Sequence, residues 1–179
     1  LRKQLPTAQP NAGHLVLAEM EQDYDVTVIT QNVDDLHERA GSHRVIHLHG
    51  ELMRVCSSRD PDNPRCWETL TADHLEVRHG EKAKDGSLLR PWIVWFGEAV
   101  PNLDIAAREV EQADIFAVIG SSLNVYPAAG LIRYAPANSP VFLIDPKPVR
   151  VPTRREVEVI QEVASKGVPL LRDRLKQLG

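Results

Sequence analysis

Apolar residues recur along the chain with two alternating periods, and the alternation predicts the architecture. Behind a polar start, LRKQLPTAQP, Asn11 can cap a helix over about His14 to Glu21, with Leu15, Leu17, Ala18 and Met20 as its apolar positions. Val26, Val28 and Ile29 read as a buried strand running to Thr30; Leu36 and Ala40 then keep helical spacing from about Asp34 until Gly41 can stop the helix. VIHLH at 45–49 predicts the next strand, whose period of two puts Val45, His47 and His49 on one face and Ile46 and Leu48 on the other. From Glu51 to Arg90 the pattern dissolves. SSRDPDNPRCWE is turn-rich and HGEKAKDGS is charged and glycine-bearing, so this stretch reads as an excursion with little core of its own. PWIVWFGE at 91–98 resumes an apolar strand, followed by a helix from about Leu103 to Gln112, the strand IFAVIG and a helix near 128–134. The strand VFLID and a closing helix from about Gly167 to Leu178 complete the chain. Apolar strands alternating with helices predict an α/β fold: a parallel sheet with helices on both faces, plus a small inserted module.

Composition narrows the class. A chain of 179 residues suits one domain, with or without a small insertion, and can bury a sizeable core. Fractions of 42% hydrophobic and 26% charged residues are ordinary for a soluble globular protein. A net charge of -4 gives no global attraction to nucleic acid or an anionic membrane, so neither is expected as a partner. No apolar run approaches the ~18 residues of a membrane span and no signal-peptide core opens the sequence, so a cytoplasmic location is expected. The two cysteines, Cys56 and Cys66, cannot form a disulfide framework and are expected to stay thiols in a reducing compartment.

In an open parallel sheet, ligands bind beyond the carboxyl ends of the strands, where helix amino termini and free amides converge. Three segments place polar or glycine-bearing residues at that rim: Gln31, Asn32 and Asp34 after one strand, Gly120, Ser121 and Ser122 after another, and Asp145 after a third. Each alone has a structural explanation: Asp34 as a helix cap, Gly120 as a turn, Asp145 as the start of an Asp-Pro turn. Together they sketch a nucleotide cleft. Gly120 lets backbone approach a ligand closely, and the Ser121 and Ser122 hydroxyls with nearby amides can bond phosphate or ribose without adding positive charge. Asp145 suits a ribose hydroxyl, while Asn32 and Asp34 can satisfy a carboxamide or position a hydroxyl. His49, on a strand that ends at Gly50, is the one candidate general base beside them.

TQNVDDLHERAG, HLHGEL, RPWIVWFGE and GSSLNVYPAAG, in this order and at these intervals, resemble the sirtuin NAD-dependent protein lysine deacylases, nearest to the bacterial and mitochondrial class with a small zinc-module insert. The likeness runs from PNAGHLVLAEM at 10–20 to KGVPLLRDRL at 166–175. It implies a Rossmann-like NAD-binding domain from 1–50 and 91–179, and an insert at 51–90 corresponding to the zinc module. It implies His49 as the catalytic base, Gln31, Asn32, Val33 and Asp34 around nicotinamide and its ribose, and Gly120, Ser121 and Ser122 on the adenosine side and phosphates. Asp145 and Lys147 stand where the family has an Asn-x-Glu at the adenosine ribose, and Ala164 with Ser165 falls on the last loop, beside the adenine. Val94, Trp95, Phe96 and Gly97, with Asn124, Val125 and Tyr126, match the two segments between which an acylated-lysine peptide adds as a strand, Phe96 lining the tunnel for the lysine stem. The implied reaction transfers the acyl group of a protein lysine to ADP-ribose and releases nicotinamide.

Three departures from the family pattern carry expectations of their own. The family's zinc site uses two cysteine pairs, and a structural site takes about four ligands; here Cys56 matches the first position, Arg59 stands at its partner's place, GEKAKDGS replaces the second pair and Cys66 is alone, so zinc is not expected. The family's glycine-rich GAG-x-S strand and cofactor loop have no counterpart in the sequence, which therefore reads as truncated at its amino end. Relatives that remove acidic acyl groups use a Tyr and an Arg three residues later; Leu1 aligns with that arginine, which favours deacetylation over desuccinylation. Two other readings stay open: an NAD-dependent protein ADP-ribosyltransferase, which needs no acyl-lysine tunnel, and a non-catalytic fragment.

Overall fold

The structure, a computed structural model, describes residues 2–149, 151 and 155–177. Leu1, aligned with the arginine of acidic-acyl relatives, and Leu178, the expected end of the last helix, lie outside the described residues. The elements in chain order are α1 (Ala12–Met20), β1 (Val28–Thr30), α2 (Leu36–Ala40), β2 (Val45–His47), β3 (Gly50–Ser57), β4 (Glu68–Thr69), β5 (Leu89–Ile93), α3 (Leu103–Glu111), β6 (Phe116–Ile119), β7 (Val141–Ile144), β8 (Glu158–Ile160) and α4 (Ala164–Lys176). They belong to two compact units: one gathers the N-terminal stretch to Gln9, Thr30–Asp35 and His47–Pro101; the other gathers Pro10–Ile29, Leu36–Ile46 and the chain from Asn102 onward. β1 and β2 pair with each other, and the chain passes from one unit to the other at the carboxyl end of each.

The larger unit carries the sheet β6-β7-β8, parallel throughout, with Val118 opposite Leu143 and Ile144 opposite Ile160. β7 is buried along its whole length, which is why VFLI is uninterruptedly apolar. Its alternate residues face two cores. Phe142 and Ile144 pack with Val16 and Met20 of α1 and Val168, Leu171 and Leu175 of α4, whereas Leu143 packs with Val118, Leu123 and Ala129. Asn11 caps α1 through its side chain, which accepts from the Gly13 and His14 amides, and His14 Nδ1 returns a bond by accepting from the Asn11 N–H. The helix expected near 128–134 is a 3₁₀ helix, Ala128–Arg133, and EVI at 158–160, missed in the sequence, is a strand. Both Glu158 and Val159 are exposed, so this strand lacks the apolar signature that marks β6 and β7.

The smaller unit overturns the reading of 51–90 as a stretch with little core. β3 pairs antiparallel with β4 and β5, and Leu52, Val55, Cys56, Cys66, Leu70, Ala83 and Trp92 are buried. The pattern was masked by a register shift between Glu51 and Val55, which breaks the period of two in the middle of the strand. Arg54 lies 4.8 Å from both the Trp67 and Trp92 ring centroids and pairs with Glu51 at 2.9 Å. The fully buried Ser57 hydroxyl accepts from the Arg59 and Asp60 amides at 3.0 Å and donates to Asp85 Oδ2 at 2.6 Å; Asp85 Oδ1 accepts from the Ser87 hydroxyl and amide. These bonds hold the Asp85 carboxyl down at about 2, the Ser57 and Ser87 hydroxyls contributing most. PWIVWFGE is strand only to Ile93, and it pairs antiparallel to β3, not in the parallel sheet.

Candidate active site

In the smaller unit, three successive carbonyls at the end of β1 are pinned to the chain running from His47 to Leu52. Gln31 O accepts from His49 Nδ1 at 3.1 Å, Asn32 O lies 3.4 Å from His47 Nδ1, and Val33 O accepts from the Leu52 amide at 2.8 Å. Thr30 Oγ1 fixes the start of this turn by accepting from the Asn32 N–H at 3.1 Å. The period of two holds as far as position 49, with His47 and His49 toward the turn and Leu48 fully buried. A carbonyl only accepts, so Nδ1 of His49 carries the proton in this bond and Nε2 of the neutral ring holds the lone pair. The imidazole is half-buried and held against Gln31 at the start of the turn that carries Asn32, Val33 and Asp34.

Gly50 is needed directly after the histidine. Its φ is +80°, and a Cβ there would come within 2.1 Å of the Trp92 carbonyl oxygen. The same backbone approach lets the Val94 amide donate to the His49 carbonyl at 3.0 Å. Beyond Val94 the chain turns: Gly97 has φ +92°, while Trp95 and Phe96 point outward, 55% and 104% exposed. Arg90 grips both Glu98 oxygens at 2.7 and 2.9 Å, and this bond together with the Trp95 amide holds the Glu98 carboxyl at about 2. Arg90 and Glu98 were missed in the sequence, because nothing in RPWIVWFGE marks an ion pair across eight positions as anything but surface charge.

The larger unit holds the other predicted residues, at the carboxyl ends of its parallel strands. Gly120, at φ +60°, ends β6, and its amide donates to Ile144 O at 2.8 Å; an added Cβ would meet no atom within 4 Å, so the space over it is open. Ser121 Oγ accepts from the Leu123 amide at 3.3 Å, while Ser122, Asn124, Val125 and Tyr126 are exposed. Asp145 follows β7 and accepts from the Lys147 amide at 2.8 Å, as an Asp-Pro turn requires. Ala164 opens α4, where its carbonyl lies 3.1 Å from the place a Cβ on Gly13 would take. Hydroxyls and amides that donate, with one carboxylate that accepts, follow the ends of β6 and β7 beside an open glycine and suit an adenosine and its phosphates. That chemistry fits NAD.

Cys56 and Cys66 are both buried free thiols, and burial pushes the Cys56 thiol up to about 11, so it is a neutral packing group near neutral pH. Among the described residues, no three His, Cys, Asp or Glu side chains are grouped so as to hold a metal ion. The pair of cysteines does not fit a four-ligand zinc site.

The Sir2 family model matches residues 1–127. An NAD-dependent protein deacylase of Bacteroides thetaiotaomicron is 59% identical over 177 residues, covering 99% of this chain and 74% of the relative. A solved Sir2 homologue in complex with NAD superposes with a TM-score of 0.81 at 38% identity, over 99% of this chain and 69% of that one. A Sir2 structure bound to acetylated peptide superposes with a TM-score of 0.75 at 30% identity, over 94% and 72%. With motifs, strand order and rim residues already in place, the likeness is one of descent: the chain belongs to the Sir2 family.

Proposed function

We propose that the protein is an NAD-dependent protein lysine deacylase in which His49 is the general base. The bond from His49 Nδ1 to the Gln31 carbonyl carries this reading, because it leaves Nε2 as the nitrogen able to take a proton. Bound NAD supplies the ribose carbon whose bond to nicotinamide breaks, and ADP-ribose accepts the acyl group. Gln31, Asn32, Val33 and Asp34 hold the nicotinamide and its ribose, oriented by the carbonyl bonds behind them. Gly120, Ser121 and Ser122 bond phosphate and the adenosine side, Asp145 accepts from the ribose with Lys147 beside it, and Ala164 lies by the adenine. Val94, Trp95, Phe96 and Gly97, together with Asn124, Val125 and Tyr126, contact the acyl-lysine peptide through backbone bonds that make little demand on its sequence.

The NAD domain corresponds to 1–50 and 91–179, the family's small module to 51–90, and the module folds without zinc, its loops tied by Ser57, Asp85 and Ser87. Among the described residues no helix is long and apolar enough to cross a membrane. With a net charge of -4, a cytoplasmic enzyme acting on proteins, not nucleic acid or membranes, is the reading this supports. Incubation with an acetyl-lysine peptide, with and without NAD, tests it. NAD-dependent appearance of free lysine, nicotinamide and O-acetyl-ADP-ribose is the expected result. Peptide carrying ADP-ribose with its acetyl group intact would favour transfer of ADP-ribose to protein instead.

A further inference from the structure

We propose that Arg90 and Glu98 form a clamp that shapes the segment Val94–Gly97 for substrate, which makes them positioning residues for the acyl-peptide; this rests on the deacylase reading above. The ladder between β3 and β5 ends where Ile93 pairs Gly50, and Val94 makes one more bond, to His49 O. After that no sheet among the described residues holds the chain. Trp95 and Phe96 face solvent, so packing does not fix the segment either.

What remains is the ion pair. Arg90, on β5, donates to Ile93 O at 2.9 Å and to both Glu98 oxygens, and Glu98 Oε2 in turn accepts from the Trp95 amide at 3.0 Å. The Glu98 amide closes the turn on Trp95 O at 3.0 Å. One guanidinium therefore fixes the last residue of the strand and the far end of the turn together. The fork geometry matters: an ammonium could reach one of these oxygens but could not span all three. A peptide that adds as a strand needs its template edge held in extended register before it arrives, and a loose template raises the entropic cost of binding. Because Val94 also hangs from the His49 carbonyl, the clamp orients the substrate edge relative to the candidate base without touching substrate itself.

Steady-state kinetics with an acetyl-lysine peptide tests this, using Arg90→Lys, Arg90→Ala and the near-isosteric Glu98→Gln, each checked by thermal melting. The peptide KM is expected to rise about tenfold or more in both Arg90 variants, with kcat and the KM for NAD within about twofold of wild type. Glu98→Gln keeps an acceptor for the Trp95 amide but loses the charge, so it should fall between wild type and Arg90→Ala; its intact fold keeps the test open if Arg90→Ala unfolds. An unchanged peptide KM in Arg90→Lys and Glu98→Gln overturns the clamp. So does a loss spread equally over kcat and both KM values, the mark of a merely structural role. A wild-type protein inert toward acetyl-peptide and NAD sinks the deacylase reading itself, whereas an active wild type with indifferent variants sinks the clamp alone.

Discussion

At the scale of single residues, the local chain marks which group can do chemistry, while the fold decides which atom of it does. Although β2 itself stops at His47, His49 stands out in VIHLHG because it was expected to end a strand next to a glycine and downstream of a polar turn. Its tautomer does not, since the Gln31 carbonyl that sets it lies eighteen residues upstream. Gly50 was legible only as the end of a strand, but the structure makes it a contact: backbone passes where its side chain would be. Gly50→Ala is therefore expected to lower the unfolding free energy by roughly 2 kcal/mol or more, from the left-handed backbone and the collision with Trp92 O together. Urea denaturation of the two proteins measures it, and a loss under about 0.5 kcal/mol would show that the backbone relaxes freely.

Among elements, legibility followed the apolar period. β6, β7, α1 and α4 were found because their apolar residues face a core at a regular interval. β3 was lost where its bulge shifts the register, and β8 because only one face of a sheet-edge strand needs burial. Close approach was also invisible: α4 lies so near β7 that a Cβ on Gly167 would sit 2.2 Å from Ile144 Cγ2. Gly167→Ala should destabilise by about 1–3 kcal/mol through overpacking, read as a lowered Tm. Ser57→Ala should cost a similar ~1–3 kcal/mol by leaving the Arg59 and Asp60 amides without an acceptor.

The same node predicts an acid response. Asp85 is held at about 2 against an ordinary 3.8, so the folded chain binds fewer protons than the unfolded one between these values. Its contribution is complete above about 3.8 and is lost as the pH falls through about 2. Asp85→Asn should remove this part of the acid-unfolding profile, seen by circular dichroism across that window.

For the whole molecule, the alternating strands and helices pointed correctly to a parallel sheet, and the ordered motifs to the family. Side-chain pairings that tie loops together, such as Arg90 with Glu98 and Ser57 with Asp85, were not readable, because they join residues whose spacing follows no period. At this scale the metal question becomes measurable: elemental analysis is expected to find no stoichiometric zinc, and a chelator should leave the Tm unchanged. One equivalent of bound zinc would contradict the reading of the small module.

The most direct test of the central claim compares the wild-type protein with His49→Ala, following deacetylation of an acetyl-lysine peptide and, by calorimetry, the binding of NAD. Loss of turnover by ~10²–10⁴-fold with NAD affinity retained is the result expected if Nε2 of His49 is the base. Full turnover in the variant would contradict it.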